Sequence, residues 1–356
     1  MHTLSEKAID LLKTLIATPS LSKEEDKTAT IIFDFLAREG VQPKRFLNNV
    51  WAVNKYFDPA KETLMLNSHH DTVKPNNGYT RPPHEPQVED GKLFGLGSND
   101  AGGPLVSLIA TFLHFYNEPN LSHNLLLVCS SEEEISGKNG LAAVIHEVPL
   151  PAVSIVGEPT LMDMAIAEKG LMVLECTAHG KAGHAAREEG ENAIYKAMKD
   201  IEWFQSFQFP KISETLGPVK MTTTIIQAGS QHNVVPDQCT FTVDVRTTDR
   251  YTNEETLEII KQHVQSEINP RSLRLNPSSI DEGHPLVQAG KKLGMTTYGS
   301  PTLSDQSLID IPSLKLGPGD SARSHTPDEF IYINEIEEGI EKYIQLLNHF
   351  LKPQSL

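Results

Sequence analysis

A chain of 356 residues with 38% hydrophobic, 22% charged and 6% aromatic side chains has the composition of a soluble globular protein and the length for two domains. Its net charge of -16, with no visible cluster of Lys and Arg, argues against nucleic acid as a partner. No apolar run is long enough for a membrane, and Met1-His2-Thr3-Leu4-Ser5 does not open a signal peptide; Cys129, Cys176 and Cys239 lack CxxC spacing, so reduced, mostly buried thiols and a cytoplasmic location are expected.

The amphipathic pattern over residues 4–16 predicts a first helix. Ser22-Lys23-Glu24-Glu25 has the spacing of a capping box and is expected to open a second helix that runs to about Arg38 and stops at Gly40. Strands are expected near Arg45-Phe46 to Lys55 and at Thr63–Ser68, the latter ending in His69-His70-Asp71. Side chains alternate along a strand, so His69 and Asp71 share a face. A polar, Pro- and Gly-containing segment from Lys74 to Asp90 leads into Gly95-Leu96-Gly97-Ser98-Asn99-Asp100-Ala101-Gly102-Gly103, which sets Asp100 at the mouth of the apolar helix Leu105–Phe115.

Asn124–Ser130 is a continuous apolar run, as in a strand buried on both faces, and it ends in Glu132-Glu133-Glu134. A second such run, Ala152–Gly157, ends in Glu158. Open α/β sheets place ligands at the carboxyl ends of their strands, and adjacent carboxylates after a buried strand call for a compensating cation. A solvated acidic turn would explain any one of these acids; it does not explain their convergence.

From about Gly170 the order becomes β-α-β-β-α-β: strand Leu171–Ala178, helix Asn192–Phe204, strands Lys220–Gln227 and Cys239–Arg246, helix Asn253–Glu267 and a last strand near Leu273–Leu275. That is the ferredoxin-like order, here expected as an inserted lid. The chain then returns to the first domain with a helix at Pro285–Leu293, a short helix from Ser304, a strand at Ser313–Leu316, the segment Ser324-His325-Thr326-Pro327-Asp328-Glu329 and a final amphipathic helix from Asn334 to about Leu351.

His69, Asp100, Glu134, Glu158 and His325 make a mixed imidazole and carboxylate set, better suited to zinc or a similar divalent ion than to calcium or magnesium. Two ions would need a bridging acid. They would also need a proton carrier that is not a ligand, and Glu133 is placed for that.

The segments SHHDTV, GLGSNDAGG, SSEEEISG, VGEPT and GPGDSARSHTPDE, with a ferredoxin-like insertion between the last two, resemble the M20 family of zinc-dependent amidohydrolases and peptidases, nearest the branch of acetylornithine deacetylase and succinyl-diaminopimelate desuccinylase. The resemblance implies an α/β catalytic domain with a mixed, mainly parallel sheet over 1–169 and 279–356, and a lid and dimerisation domain over 170–278. It implies that two divalent ions, zinc or cobalt, are held by His69 and Glu158 on one side and Glu134 and His325 on the other, with Asp100 bridging. Asp71 would orient His69, and Glu133 would be the general base and then the acid. His184 would stabilise the oxyanion, Asn233 and Arg246 would contact substrate, and the chain would form a homodimer that deacylates a small N-acylated amino acid, N-acetyl-L-ornithine first, in arginine biosynthesis. His70, where the family usually has a small residue, Ala101-Gly102 after the bridging Asp, Glu132, and Glu188 soon after His184 depart from the family pattern. His70, His84, His123 and His179 read as surface or satisfied histidines, and His232 stays open.

Overall fold

The computed structural model describes residues 3–352, which fall into two compact units. One comprises residues up to 166, 279–298 and from 304 onward; the other comprises 167–278 and 299–303.

The larger unit is an α/β fold. In its central sheet, strand Thr63–His69 lies between Asn124–Ser130 and Val153–Val156, parallel to both, and Val153–Val156 pairs in parallel with Ser313–Lys315. Antiparallel strands flank this core: Asn49–Val53 beside Asn124–Ser130, and Met164–Glu168 beside Ser313–Lys315. All residues of the strands Thr63–His69, Asn124–Ser130 and Val153–Val156 are buried, as their largely apolar sequences lead one to expect. The helices Leu4–Ile16, Gly103–Phe115 and Ile333–Leu351 contribute Leu12, Phe112 and Tyr343 to the core.

In this unit three expectations need correction. The strand expected around Arg45 to Lys55 is a hairpin, Lys44–Phe46 against Asn49–Val53, which turns at Leu47 in the left-handed region (φ 54°). The second helix spans Asp26–Arg38, and Ser22 does not cap it; its hydroxyl reaches Asp71 instead. The polar segment before Asp90 contains a strand, Gln87–Glu89, which with Lys92–Phe94 and Phe330–Tyr332 forms a small separate sheet.

The smaller unit is a four-stranded antiparallel sheet in the spatial order Lys220–Ala228, Gln238–Thr247, Gly170–His179, Glu267–Pro270, with helices Ala193–Ser206 and Asn253–Lys261. Its last strand is Glu267–Pro270 and not Leu273–Leu275, because the carbonyls of Leu273 and Leu275 accept from the Asn253 side-chain amide at 3.1 and 2.8 Å. Its second helix stops at Lys261, well short of Glu267. Beyond it the buried Asp200 carboxylate takes the N–H groups of Gln265 and Ser266.

Candidate metal centre

Parallel pairing sets His69 opposite Ser130 and Asn67 opposite Val156, so the chain leaves three neighbouring strand ends toward one place. His69 arrives on its own strand, Glu133 and Glu134 on a short helical turn after Ser130, and Glu158 two residues beyond Val156. Asp100 comes from the turn Ser98–Gly102 ahead of the helix Gly103–Phe115. That turn is held by Glu329, whose buried carboxylate accepts the N–H groups of Gly97, Asn99 and Asp100 at 3.1, 2.8 and 2.9 Å. His325 sits four residues before Glu329 with φ of 59°, a strained conformation for a residue with a Cβ.

These side chains meet around Asp100. Its Oδ1 lies 3.3 Å from His69 Nε2, and its Oδ2 lies 3.6 Å from His325 Nε2. On the first side Glu133 Oε2 and Glu158 Oε1 are 3.8 and 3.9 Å from His69 Nε2. On the second, Glu134 Oε2 is 3.0 Å from His325 Nε2. Two trios, His69 with Asp100 and Glu134, and His69 with Glu133 and Glu158, each offer ligand atoms within 4.8 Å of one another.

Asp71 lies behind His69. Its Oδ1 is 3.4 Å from His69 Nδ1, while Oδ1 and Oδ2 also accept the N–H groups of Glu133 and Glu134 at 3.0 and 3.2 Å. The backbone carbonyl of Asp71 is closer to Nδ1, at 3.0 Å, so that nitrogen carries a proton and Nε2 is the ring atom turned to Asp100, where a second proton or an ion would sit. His70 is buried, and burial lowers its pKa to about 4. It is therefore neutral, donates from Nε2 to the Asn48 carbonyl at 3.0 Å and accepts from the Thr28 hydroxyl at Nδ1, 2.9 Å away.

The electrostatics of the cluster ask for cations. Burial, then the Asp100 charge, pushes Glu158 up to about 8, and burial raises Glu133 and Glu134. Burial opposes a charge on His69, but Glu133, Asp100 and Asp71 together raise its pKa well above the usual value. The hydrogen bond to Glu134 raises His325 to about 9. Protons thus hold places that divalent ions would take. Glu134 Oε1 is buried with no hydrogen-bond partner among the described residues, and buried carboxylate oxygens in that state are rare. The donor set and this orphaned oxygen fit a pair of divalent ions.

The smaller unit carries the other expected residues. His184 is exposed on a two-stranded ribbon, Gly183–His184 with Val234–Val235, and its Nδ1 accepts from Ala186 N–H. Asn233, immediately before the facing strand, accepts Ala185 N–H on its backbone carbonyl. Arg246 ends a sheet strand with its guanidinium held by Asp244, Nε to Oδ1 at 2.8 Å and Nη2 to Oδ2 at 3.1 Å. Sequence reasoning did not find Glu25, Ser22 and Glu329. No local motif marks a carboxylate whose partners are distant backbone N–H groups.

Parallel strands that deliver imidazoles and carboxylates to a shared acid define a metal-dependent hydrolase of the α/β kind. A profile of peptidase family M20/M25/M40 matches residues 65–349, and the chain belongs to that family. Among solved structures it is similar to the aminopeptidase PepT of Bacillus cereus (18% identity, TM-score 0.77, covering 97% of this chain and 98% of that one) and to a tripeptidase of Staphylococcus aureus (19%, 0.75, 96% and 97%). It is also similar to the YxeP protein of Bacillus subtilis, described as a dinuclear metal binding peptidase (18%, 0.74, 97% of each).

Proposed function

We propose that this hydrolase binds two divalent ions, zinc in the first instance, and cleaves the amide of a small N-acylated amino acid. The observation that carries the reading is Asp100, whose two oxygens face two different histidines at 3.3 and 3.6 Å, each histidine with its own glutamate. His69 and Glu158 would hold one ion, Glu134 and His325 the other, and Asp100 both. Ions held there would polarise an amide carbonyl and lower the pKa of a bound water toward neutrality. Glu133, 3.8 Å from His69 Nε2 and not among the assigned ligands, would take a proton from water and return it to the leaving nitrogen. Asp71 fixes the proton on His69 Nδ1.

His184 as donor to the oxyanion, and Asn233 and Arg246 as substrate contacts, rest on the sequence resemblance. Arg246 has charged neighbours: Lys169 is lowered in pKa by burial and by the charges of Lys220 and Arg246, and such a cluster favours a carboxylate. N-acetyl-L-ornithine, with arginine biosynthesis as the setting, is the first substrate on the motif resemblance. Di- and tripeptides are the second reading, favoured by the peptidases among the similar structures. A homodimer is supported by the edge strand Lys220–Ala228, which leaves Ile225 and Ile226 about half exposed. A cytoplasmic location is proposed with it; no helix among the described residues is long and apolar enough to cross a membrane.

The test is amine release from N-acetylornithine, N-acetylcitrulline, N-succinylornithine, N-succinyl-diaminopimelate, a dipeptide and a tripeptide, with zinc- or cobalt-loaded and metal-stripped protein. Metal-dependent release from an acyl amino acid alone supports the deacylase. Release from peptides alone moves the assignment to peptidase, and silence across the panel with two metals bound rejects both substrate classes.

A further inference from the structure

The turn that carries Glu133 and Glu134 is built against its own backbone preference. Glu132 and Ser136, which flank it, have φ of 55° and 46°, in the left-handed region that side chains with a Cβ avoid. Four consecutive N–H groups of this segment point outward from the turn, and each is taken by a side chain from elsewhere. Ser131 N–H donates to Asn49 Oδ1 at 3.0 Å, Glu132 N–H to Glu25 Oε1 at 3.1 Å, and those of Glu133 and Glu134 to Asp71.

Glu25 is fully buried, and among the described residues no ion pair involves it. It immediately precedes the helix Asp26–Arg38 without capping it. Its carboxylate turns away and accepts three donors: Lys23 N–H at 2.6 Å, Glu132 N–H, and the Asn48 amide at 3.0 Å on Oε2. Asn48 is fixed by Arg45 at its other end, 2.9 Å, and His70 donates to its carbonyl. Ser22, three residues earlier, donates its hydroxyl to Asp71 Oδ2 at 2.7 Å. The segment reaches this place because Ser20 accepts Thr72 N–H and Leu21 bridges to Thr72, beside the end of the His69 strand.

We propose that Glu25, supported by Ser22, is a positioning residue of the hydrolytic centre, one that holds the backbone of residues 132–134 so that Glu133 faces His69 while Glu134 faces His325. Neighbouring residues serve opposite sides of a site only if the backbone between them is fixed. Glu25 and Asp71 together fix three successive peptides, and a glutamine at position 25 would turn an amide N–H toward one of the donors that the carboxylate now accepts. The inference rests on the metal reading for its consequence, though not for its geometry.

The test compares wild type, Glu25→Gln and Ile32→Val, the last a trim of the buried face of the same helix. Amide exchange of residues 131–136 is followed in the metal-free protein, and cobalt affinity and the cobalt d–d absorption in the loaded protein. Glu25→Gln is expected to speed exchange at Glu132–Glu134 about 10-fold or more, to weaken cobalt about 10- to 100-fold and to shift its spectrum. Ile32→Val is expected to lower the melting temperature with neither change. Unchanged exchange in Glu25→Gln overturns the proposal, and so does faster exchange with cobalt affinity and spectrum intact, which would make Glu25 merely structural. If Glu25→Gln does not fold, Ser22→Ala replaces it, with the same expected directions at Glu133 and Glu134 and the same overturning results. Failure of wild type to bind cobalt would instead sink the metal reading, while the exchange measurement still reports on the geometry.

Discussion

Stripping the metal ions should make the protein less stable as pH rises from about 5.5 to 8. Glu158 is pushed from an ordinary value of 4.5 up to about 8 by burial and by the Asp100 charge. Between those values the unfolded chain has released a proton that the metal-free fold still binds, so stability falls with rising pH. At about 1.4 kcal/mol per pH unit, the part of that interval between about pH 5.5 and 8 corresponds to a loss on the order of 3 to 4 kcal/mol. His69 and His325 act in the same sense. Their pKa values are raised in the fold, so the stability they contribute is complete below the ordinary histidine value and lost as pH rises through the raised one. Asp100 is held below its ordinary value, and its contribution is lost only in more acid solution, outside this window. Urea titrations of chelator-treated protein at intervals across this range measure the slope. At about 2–4 °C per kcal/mol, melting temperatures should fall by about 10 °C or more. Metal binds the deprotonated ligands, so zinc-loaded protein should show the reverse slope over the same range. A stripped protein whose stability stays flat or rises toward pH 8 would refute the argument that these acids are protonated for want of a cation.

Glu133→Gln should retain both metals, read by elemental analysis, and lose turnover by about 10²-fold or more, since the water loses its proton acceptor. Asp71→Ala leaves the backbone carbonyl at His69 Nδ1 in place but removes the carboxylate 3.4 Å from that nitrogen and frees two N–H groups of the acidic turn; metal affinity, read by competition with a chromophoric chelator, should fall about 10- to 100-fold. Gly317→Ala would put a Cβ 2.5 Å from the Glu158 carbonyl oxygen and against Pro104. It should displace Glu158 and weaken the metal on the His69 side more than the other, visible as one altered step in a cobalt titration.

What could be read from the chain and what could not divides by the distance over which each signal acts. Asn124–Ser130 announces a buried strand because every residue in it faces the core, and the acids that follow it are anomalous in their own neighbourhood. His69, Glu134 and Glu158 stand out in this way after apolar strands, and Asp100 stands out among glycines; His325, in the polar segment SHTPDE, carries no such local contrast. Ser22 shows the opposite case: Ser-x-x-Glu looks the same whether the serine caps a helix or reaches a carboxylate 49 positions away, and here it does the latter. The helical pattern past Lys261 is overruled by Asp200 in the same way, since nothing within a turn of Gln265 reveals that its N–H has a distant acceptor. Glu329 and Glu25 are silent for the same reason, as their partners are mainly backbone N–H groups, joined for Glu25 by the Asn48 amide, that no local pattern encodes.

The groups that meet around Asp100 and its supporting loops come from Ser22 and Glu25, His69 and Asp71, Glu133 and Glu134, Glu158, and finally His325 and Glu329. During synthesis on a ribosome, the first of these emerge some three hundred residues before the last. A nascent chain ending before His325 has His69, Asp100 and Glu158 but lacks the imidazole opposite Glu134 and the carboxylate that holds the Asp100 turn. On the proposed ligand assignment, full metal loading would report that translation has passed these residues, and termination upstream of them would leave a product without the proposed ligands of the second ion.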